Sequence, residues 1–442
     1  MLLRFVIKNF YSFKEQSEFN LFPSSKATYN THHINSCGHA EVLRFSSIYG
    51  ANGAGKSNLI KALIDLQGIV AQGHISGLIL NTYKFQLAKE KLDEPVSLAI
   101  EFYSHNTIYY YSIDLDTDQV INEALYISEK NKDRLVFERH GNGSQSISFG
   151  KGFFKDKKDA LFSSVLEERL LNKDALLLSF MAVKYPEENL DIKQAYDWIL
   201  NGLFIIRSDS MKNLTIPHAL DTNPEMMNLL MSLLPGMKTG ISSMAVVPTV
   251  VNDDMIDPRL ANSIKSTPGR AWTFPSRTDS RINDTIVYEN ERLIRKELQP
   301  YHRLDDGTEI KMPISFESDG TIRLIEYVPV IYLILNQECT VIIDEIERSL
   351  HPILVKGIIS KLSESKTAKG QIVFTTHESC LLDKEILRPD EIWFAQKDED
   401  QATQLYPLSD FNIHKTANIE NGYLNGRYGG IPFLSNLKDL HW

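Results

Sequence analysis

The stretch Gly50-Ala-Asn-Gly-Ala-Gly55-Lys56-Ser57 follows a short apolar run and matches the pattern G-x-x-x-x-G-K-[ST]. A bound triphosphate has to be wrapped by backbone N–H groups. Side chains would bar that approach, whereas glycine removes the obstacle and opens positive φ. Lys56 offers a point charge to the β- and γ-phosphates, and Ser57 offers a hydroxyl to Mg²⁺. Gly50, Asn52, Gly53, Gly55, Lys56, Ser57 and Asn58 are therefore candidates to contact a nucleotide, with ATP and Mg²⁺ as the expected ligands.

A loop of this kind needs carboxylate partners, and "CTVIIDEIERSLHP" (339–352) supplies them. Its apolar run 340–343 suits a buried parallel strand, and Asp344 and Glu345 follow at the strand's end. Asp344 is placed to orient the Mg²⁺ shell, and Glu345 to polarise an attacking water as general base. Downstream, "QIVFTTHESC" (371–380) repeats the layout, an apolar strand with His377 just past its end. A histidine there can bond a γ-phosphate or hold the water. Upstream, Ser318-Asp-Gly320 precedes a helical run, a further anion-binding helix start.

These groups need elements to hold them. The segment 44–49 reads as the strand before the loop. Ser57 to about Val70 reads as the helix after it, with Leu59, Ile60, Leu63, Ile64 and Leu66 at helical spacing. Strands are expected near 2–8 and 17–22, and 96–139 alternates like an antiparallel meander. Phe10, Tyr11 and Phe13 suit either an adenine platform or the core. From 156 to 235 the spacing turns helical, and 239–285 reads as loop-rich and partly mobile. The run 324–337, interrupted by Glu326 and Pro329, reads as a buried helix and not a membrane span.

Composition bounds the rest. The chain has 442 residues, 43% hydrophobic and 24% charged, which suits a globular protein of two or three domains. A formal net charge of −10 argues against a chain that coats nucleic acid unaided. Cys37, Cys339 and Cys380 do not form a disulfide framework, which suits a reducing cytoplasm. The first residues lack a signal-peptide layout. His32, His33, Cys37 and His39 lack paired C-x-x-C spacing, which disfavours zinc. Arg270, Arg277, Arg281, Arg292, Arg295, Lys296 and Arg303 are interleaved with Asp279, Asp284, Glu289, Glu291 and Glu297. That stretch is either a solvated mixed-charge face or a surface for DNA or a protein partner.

The order of these parts resembles the ABC-type ATPase head of transporter, SMC, RecF and OLD proteins. The resemblance implies an α/β fold, a P-loop parallel sheet core plus antiparallel β-meander with an inserted helical subdomain or lid. Residues 1–150 and 301–442 would be the two ATPase lobes and 151–300 the insertion. It also implies that Gly50–Ser57 is the Walker A loop, Val341–Glu345 the Walker B strand, Ser349–His351 the D-loop and His377 the switch histidine. Ser318 and Gly320 would belong to a signature that departs from L-S-G-G-Q, and Gln86 to a Q-loop. "LLRFVIKNFYSFKEQSEFNL", "IYGANGAGKSNLIKAL", "DEIERSLHP" and "YLNGRYGGIPFL" further resemble the RloA/AbiL-like ATP-binding proteins of bacterial phage-defence loci.

That group implies an ATPase that forms a homodimer or higher homo-oligomer and controls a separate nuclease or toxin effector. Competing readings are a RecF- or SMC-like ATPase acting directly on DNA, an ATP-bound scaffold that sequesters a toxin, and a self-contained nuclease. A transporter ATPase is disfavoured, because those chains place signature and Walker B much closer to the loop.

Overall fold

Strands β1 (Leu2–Lys8) and β2 (Ser17–Asn20) come first, then the hairpin β3 (Ile34–Cys37) and β4 (Ala40–Leu43), β5 (Phe45–Tyr49) and helix α1 (Lys56–Gln72). Helices α2 (Gly77–Tyr83) and α3 (Lys89–Leu92) lead into β6 (Val96–Ser104), β7 (Thr107–Asp116), β8 (Gln119–Ser128), β9 (Arg134–His140) and β10 (Ser146–Phe149). Helices α4 (Lys157–Val165), α5 (Leu177–Lys184) and α6 (Leu190–Asp197) precede β11 (Leu203–Ile206), α7 (Ile216–Thr222) and α8 (Pro224–Leu233). Then come β12 (Ile241–Val251), α9 (Pro258–Lys265), β13 (Ala271–Pro275), β14 (Asn283–Glu289), β15 (Arg292–Arg303) and β16 (Glu309–Lys311). The chain ends with α10 (Asp319–Asn336), β17 (Thr340–Ile343), α11 (Pro352–Ser363), β18 (Gln371–Thr375), β19 (Ile392–Lys397), β20 (Thr403–Pro407) and α12 (Ile419–Leu424).

This computed structural model describes residues 1–75, 77–141, 146–151, 153, 157–207, 215–237, 239–252, 255–275, 283–413 and 417–431. Arg277, Asp279 and Arg281 of the mixed-charge stretch and Pro432–Leu434 of the terminal motif lie outside the described residues. The chain divides into two compact units. One is Met1–Ile205 with Gln337–Ile346 and Ile359–Trp442; the other is Ile206–Asn336 with Glu347–Ile358. Residues 151–205, read from the sequence as the start of the insertion, belong to the first unit.

Among the described residues the first unit carries two large sheets besides the β3–β4 hairpin. One has the order β11-β17-β18-β5-β19-β20, with β17, β18, β5 and β19 parallel and β20 an antiparallel edge. Its central strands β17, β18 and β5 are buried along their whole length, which is why they read as apolar runs and not as alternations. The other sheet is the expected meander, in the antiparallel order β10-β9-β8-β7-β6-β1-β2. Gln371 joins the two sheets. Its buried amide donates to the Leu2 carbonyl at 2.9 Å and the Leu43 carbonyl at 2.7 Å, and its oxygen accepts the Leu2 N–H at 2.8 Å. Phe10 and Phe13 are fully buried, so they are core side chains; Tyr11 is half-buried.

The histidines near the N-terminus do structural work at the opposite end of the sheet from the phosphate loop. His33 Nδ1 lies 2.9 Å from Glu391 Oε1, and its Nε2 lies 3.1 Å from the Ser363 carbonyl. Among the described residues no cluster of His, Cys, Asp and Glu is arranged to hold a metal. Burial, aided by Arg44 and Arg388 and opposed by the Ser363 bond, pushes the His33 pKa down to about 4. Burial pushes Glu391 well above the usual carboxylate range, so both partners favour their neutral forms. The unfolded chain therefore takes up a proton near 6.5 that the folded chain refuses until about 4. The contribution of His33 to stability is expected to fall as pH drops through that window, while Glu391, held neutral when folded, contributes in the opposite sense. Denaturant melts between pH 7 and pH 4.5 should show the parent losing stability relative to His33→Asn; a constant difference would refute the assignment.

The second unit holds the sheet β12-β15-β14-β13, with β16 added to β15. Helices α7, α8 and α10 cover it through Leu220, Leu230, Ile325 and Val328, which cluster with Met244 of β12. The expectation of a loop-rich 239–285 is overturned, because β12, α9, β13 and the start of β14 occupy most of it. The signal was hidden because β12 (ISSMAVVPTVV) does not alternate and carries Pro248, a residue tolerated on an edge strand. Helices α4 to α8 lie where periodicity announced them, between 156 and 235, and the insertion is mixed α and β because strands occupy the stretch read as loop-rich. Helix α10 runs through Glu326 and Pro329 without a break.

Three cations of the mixed-charge stretch are neutralised locally. Lys296 is buried against Asp221 (2.7 Å) and Glu289 (2.8 Å), Arg295 pairs with Glu297, and Arg303 lies 3.3 Å from Glu309. Among the described residues no helix is long and apolar enough to cross a membrane.

Candidate functional site

The phosphate loop lies between β5 and α1, as the sequence predicts. Helix α1 buries Leu59, Ile60, Leu63, Leu66 and Val70 along one stripe, which anchors its first turn. Gly55 opens that turn at φ 106°, and a Cβ there would collide with the Thr403 side chain. A Cβ on Gly50 would come within 2.5 Å of the Ala395 carbonyl. Gly50 is thus required by a close backbone carbonyl, and Gly55 by its left-handed backbone and the Thr403 and Ser12 side chains packed on it. Gly53, at φ 80°, has nothing near its would-be Cβ and lies with Asn52 on the exposed tip of the loop.

Lys56 is buried, with Nζ donating to the Gly50 carbonyl at 2.7 Å and lying 3.3 Å from the Ala51 carbonyl. Ser57 Oγ donates to Asp344 Oδ1 at 3.2 Å, although the two residues lie far apart in sequence. Two hard oxygen donors so close together suit a small divalent cation that keeps waters and phosphate oxygens as its other ligands. Asn58 Nδ2 donates to Ser12 Oγ at 2.9 Å, and Thr403 Oγ1 lies 2.7 Å from that hydroxyl and 2.9 Å from the Ala54 carbonyl. Ser12 and Thr403 therefore brace the loop from two separate strand connections. The sequence reading missed both, because neither stands in the motif.

Thr375, the last residue of β18, was also missed. It is fully buried, its hydroxyl donates to Asp344 Oδ1 at 2.7 Å, and it accepts the Glu345 N–H at 2.8 Å. Glu345 sits at φ 53°, a left-handed backbone that costs a non-glycine residue about 1–2 kcal/mol. The Thr375 bond holds that conformation and turns the half-buried Glu345 away from the strand direction of Asp344. The available signal was a hydroxyl at a strand end beside the carboxylate strand. Thr375→Val keeps the shape but leaves a buried N–H without its acceptor, a loss of roughly 1–3 kcal/mol. ATP turnover is expected to fall about tenfold or more in Thr375→Val and to return in Thr375→Ser; equal turnover in Val and Ser variants would refute this role.

His377 lies two residues past the end of β18 and is exposed. The ends of β5, β17 and β18 thus bring Lys56, Ser57, Asp344, Glu345 and His377 to one edge of the sheet. Gln86 is placed differently. It is exposed and folds its amide onto the carbonyls of Asn81 and Lys84, both at 2.8 Å, within its own turn.

In the second unit Ser318 caps α10. Its Oγ accepts the Thr321 N–H at 3.1 Å, and a Cβ on Gly320 would lie 3.0 Å from the Ser349 carbonyl. Ser349 is left-handed at φ 63°, and His351 Nδ1 accepts the Ile353 N–H at 3.2 Å, capping α11. The Ser318 turn and the Ser349–His351 segment are therefore neighbours.

No curated protein matches the chain. Among solved structures it is similar to the SMC head domain from Thermotoga maritima, at 12% identity and a TM-score of 0.41, over 93% of this chain and 99% of that one. It is also similar to an SMC head crystallised with the C-terminal winged-helix domain of ScpA, at 12% identity and a TM-score of 0.46, over 92% and 97% of the two chains. The family AAA_21, described as "AAA domain, putative AbiEii toxin, Type IV TA system", matches residues 45–179 and 209–383. This span includes the phosphate loop, the carboxylate strand and the histidine strand end, and the chain belongs to that family of AAA-type ATPase domains.

Proposed function

We propose that this chain is an ABC-head-type ATPase that closes into a homo-oligomer on ATP and hydrolyses the nucleotide to open again. The observation that carries the reading is the hydrogen-bonded chain from Ser57 through Asp344 and Thr375 to Glu345. It ties the phosphate loop, the metal carboxylate and the candidate base into one arrangement within the first unit. Loop N–H groups and Lys56 bind the phosphates, while Ser57 and Asp344 hold Mg²⁺. When bound there the cation neutralises charge on the β- and γ-phosphate oxygens. Glu345 takes the proton of the attacking water, and His377 orients that water or bonds the γ-phosphate.

In this reading the first unit is the nucleotide-binding body, and the second presents Ser318 and Gly320 to the nucleotide of a second copy. The contact between the Gly320 turn and Ser349 supports treating the two segments as one surface. ATP then acts as a conformational ligand, favouring the closed assembly through contacts made only there. We further propose that the assembly serves bacterial anti-phage defence of the RloA/AbiL-like kind, controlling a separate nuclease or toxin. The family description, which names a toxin of a type IV toxin–antitoxin system, supports that setting. Cys37, Cys339 and Cys380, none of them in a disulfide, support a cytoplasmic one. The local neutralisation of Lys296, Arg295 and Arg303 favours an effector protein over DNA as the partner.

The test is size-exclusion chromatography with light scattering, run with and without Mg-ATP. A larger species that needs ATP is expected, stable in Glu345→Gln and absent in Lys56→Ala. Identical profiles for the two variants would reject the scheme.

A further inference from the structure

The terminal motif around Tyr423–Gly430 takes no part in the chemistry above, yet it touches both loops that frame the site. At one end, Glu420 Oε1 in α12 accepts the hydroxyl of Ser379 at 2.8 Å, and Ser379 lies just past His377. At the other end, the Tyr423 ring packs on Tyr49, the residue before Gly50, with centroids 5.7 Å apart, and on Phe394 of β19 at the same distance. Tyr423 Oη donates to the Gly430 carbonyl at 3.2 Å, which folds the turn back on its own helix. Tyr406 Oη donates to the Tyr428 carbonyl at 2.9 Å, and Gln396 Oε1 lies 3.3 Å from the Gly430 nitrogen.

The glycines of this turn are dictated by the fit. Gly429 and Gly430 lie at φ 71° and 67°, where a side chain is strained whatever the space. A Cβ on Gly429 would collide with the ends of Gln396 and Tyr406. One on Gly430 would press the Phe394 ring at 3.3 Å and sit 3.7 Å from the Gly50 Cα. The chain therefore runs from the histidine loop to the first glycine of the phosphate loop with ordered contacts at each end.

We propose that α12 and the glycine turn after it form a positioning clasp for the nucleotide site. Glu420 holds the His377 loop through Ser379, and Tyr423 with Gly430 holds the Gly50 end of the phosphate loop. The clasp keeps those two loops at the separation that turnover needs. The proposal rests on the nucleotide-site reading above, and its two ends predict different kinetic signatures. Cutting the Glu420 end leaves the phosphate loop braced, so kcat falls and KM stays. Disturbing the Gly430 end moves the phosphate loop, so ATP affinity falls.

The experiment uses the full chain and measures steady-state ATP turnover, ATP affinity and melting temperature together. Glu420→Ala and Ser379→Ala should each lower kcat about 5- to 10-fold, the value of one part-buried hydrogen bond, with unchanged KM and a melting temperature lower by no more than a few degrees. The double variant should be no worse than either single one, because both remove the same bond. Glu420→Gln, which keeps the acceptor oxygen, should restore kcat. Gly430→Ala should weaken ATP binding about tenfold, the strain of one left-handed residue. Parental kcat in Glu420→Ala and Ser379→Ala, or losses that add in the double variant and track the melting temperature, would overturn the clasp. Lys56→Ala is measured alongside. If it retains ATP as the parent does, the site reading itself fails; if it loses ATP while the clasp variants behave as the parent, only the clasp fails.

Discussion

Glu345→Gln should bind ATP as the parent chain does and hydrolyse it about 10²- to 10⁴-fold more slowly, the usual contribution of a positioned general base. The substitution is isosteric. It leaves the φ 53° backbone and the Thr375 bond in place, so the fold and the Ser57–Asp344 pair should be unaffected. What disappears is the carboxylate that accepts the water's proton. The strained backbone makes the prediction sharper, because a left-handed glutamate at the end of a buried strand is maintained against a local cost by the bond to Thr375. Single-turnover hydrolysis with radiolabelled ATP separates chemistry from product release and is the measurement of choice. Turnover within a few-fold of the parent would assign the base elsewhere and leave the strain at Glu345 without a chemical purpose.

The second large effect is expected at Lys56. Lys56→Ala should weaken ATP binding by at least about 10²-fold, since the bonds a buried ammonium makes to phosphate oxygens are charge-assisted and contribute about 1.5–3 kcal/mol each. Its Nζ already lies within reach of the Gly50 and Ala51 carbonyls at the mouth of the loop, so a short side-chain movement delivers it to a phosphate. Loss of the ammonium also removes the donor from the Gly50 carbonyl, while the Ala51 carbonyl keeps the Ala54 N–H, which adds a small stability cost. Isothermal titration with ATP and with ADP would read both affinities. The effect should be larger for ATP, because the missing charge serves the γ-phosphate as well as the β-phosphate. Parental ATP affinity in the variant would remove the phosphate-loop assignment.

The parts of the site that were legible in the sequence are contiguous along the chain. Glycine spacing, Lys56 and Ser57 encode a backbone shape that forms within a few residues. The apolar runs 340–343 and 371–375 encode burial on both faces of a parallel strand. Asp344, Glu345 and His377 follow from standing at the ends of such strands. The meander was legible because β6 to β9 alternate with period two. The strands of 239–285 were not, since an edge strand such as β12 has no need to alternate strictly. Gln86 was chosen by spacing alone, and spacing does not say where an exposed amide turns.

The sequence by itself determined that a phosphate loop, a carboxylate strand and a histidine strand end coexist in one α/β chain, because each is specified by local backbone and burial preferences. Only the tertiary structure decided the bracing of the loop by Ser12 and Thr403, the hold of Thr375 on Glu345 and the grip of Glu420 and Gly430. Those are single hydrogen bonds and close contacts between residues far apart along the chain. Their geometry depends on sheet register, which local residue preferences do not encode.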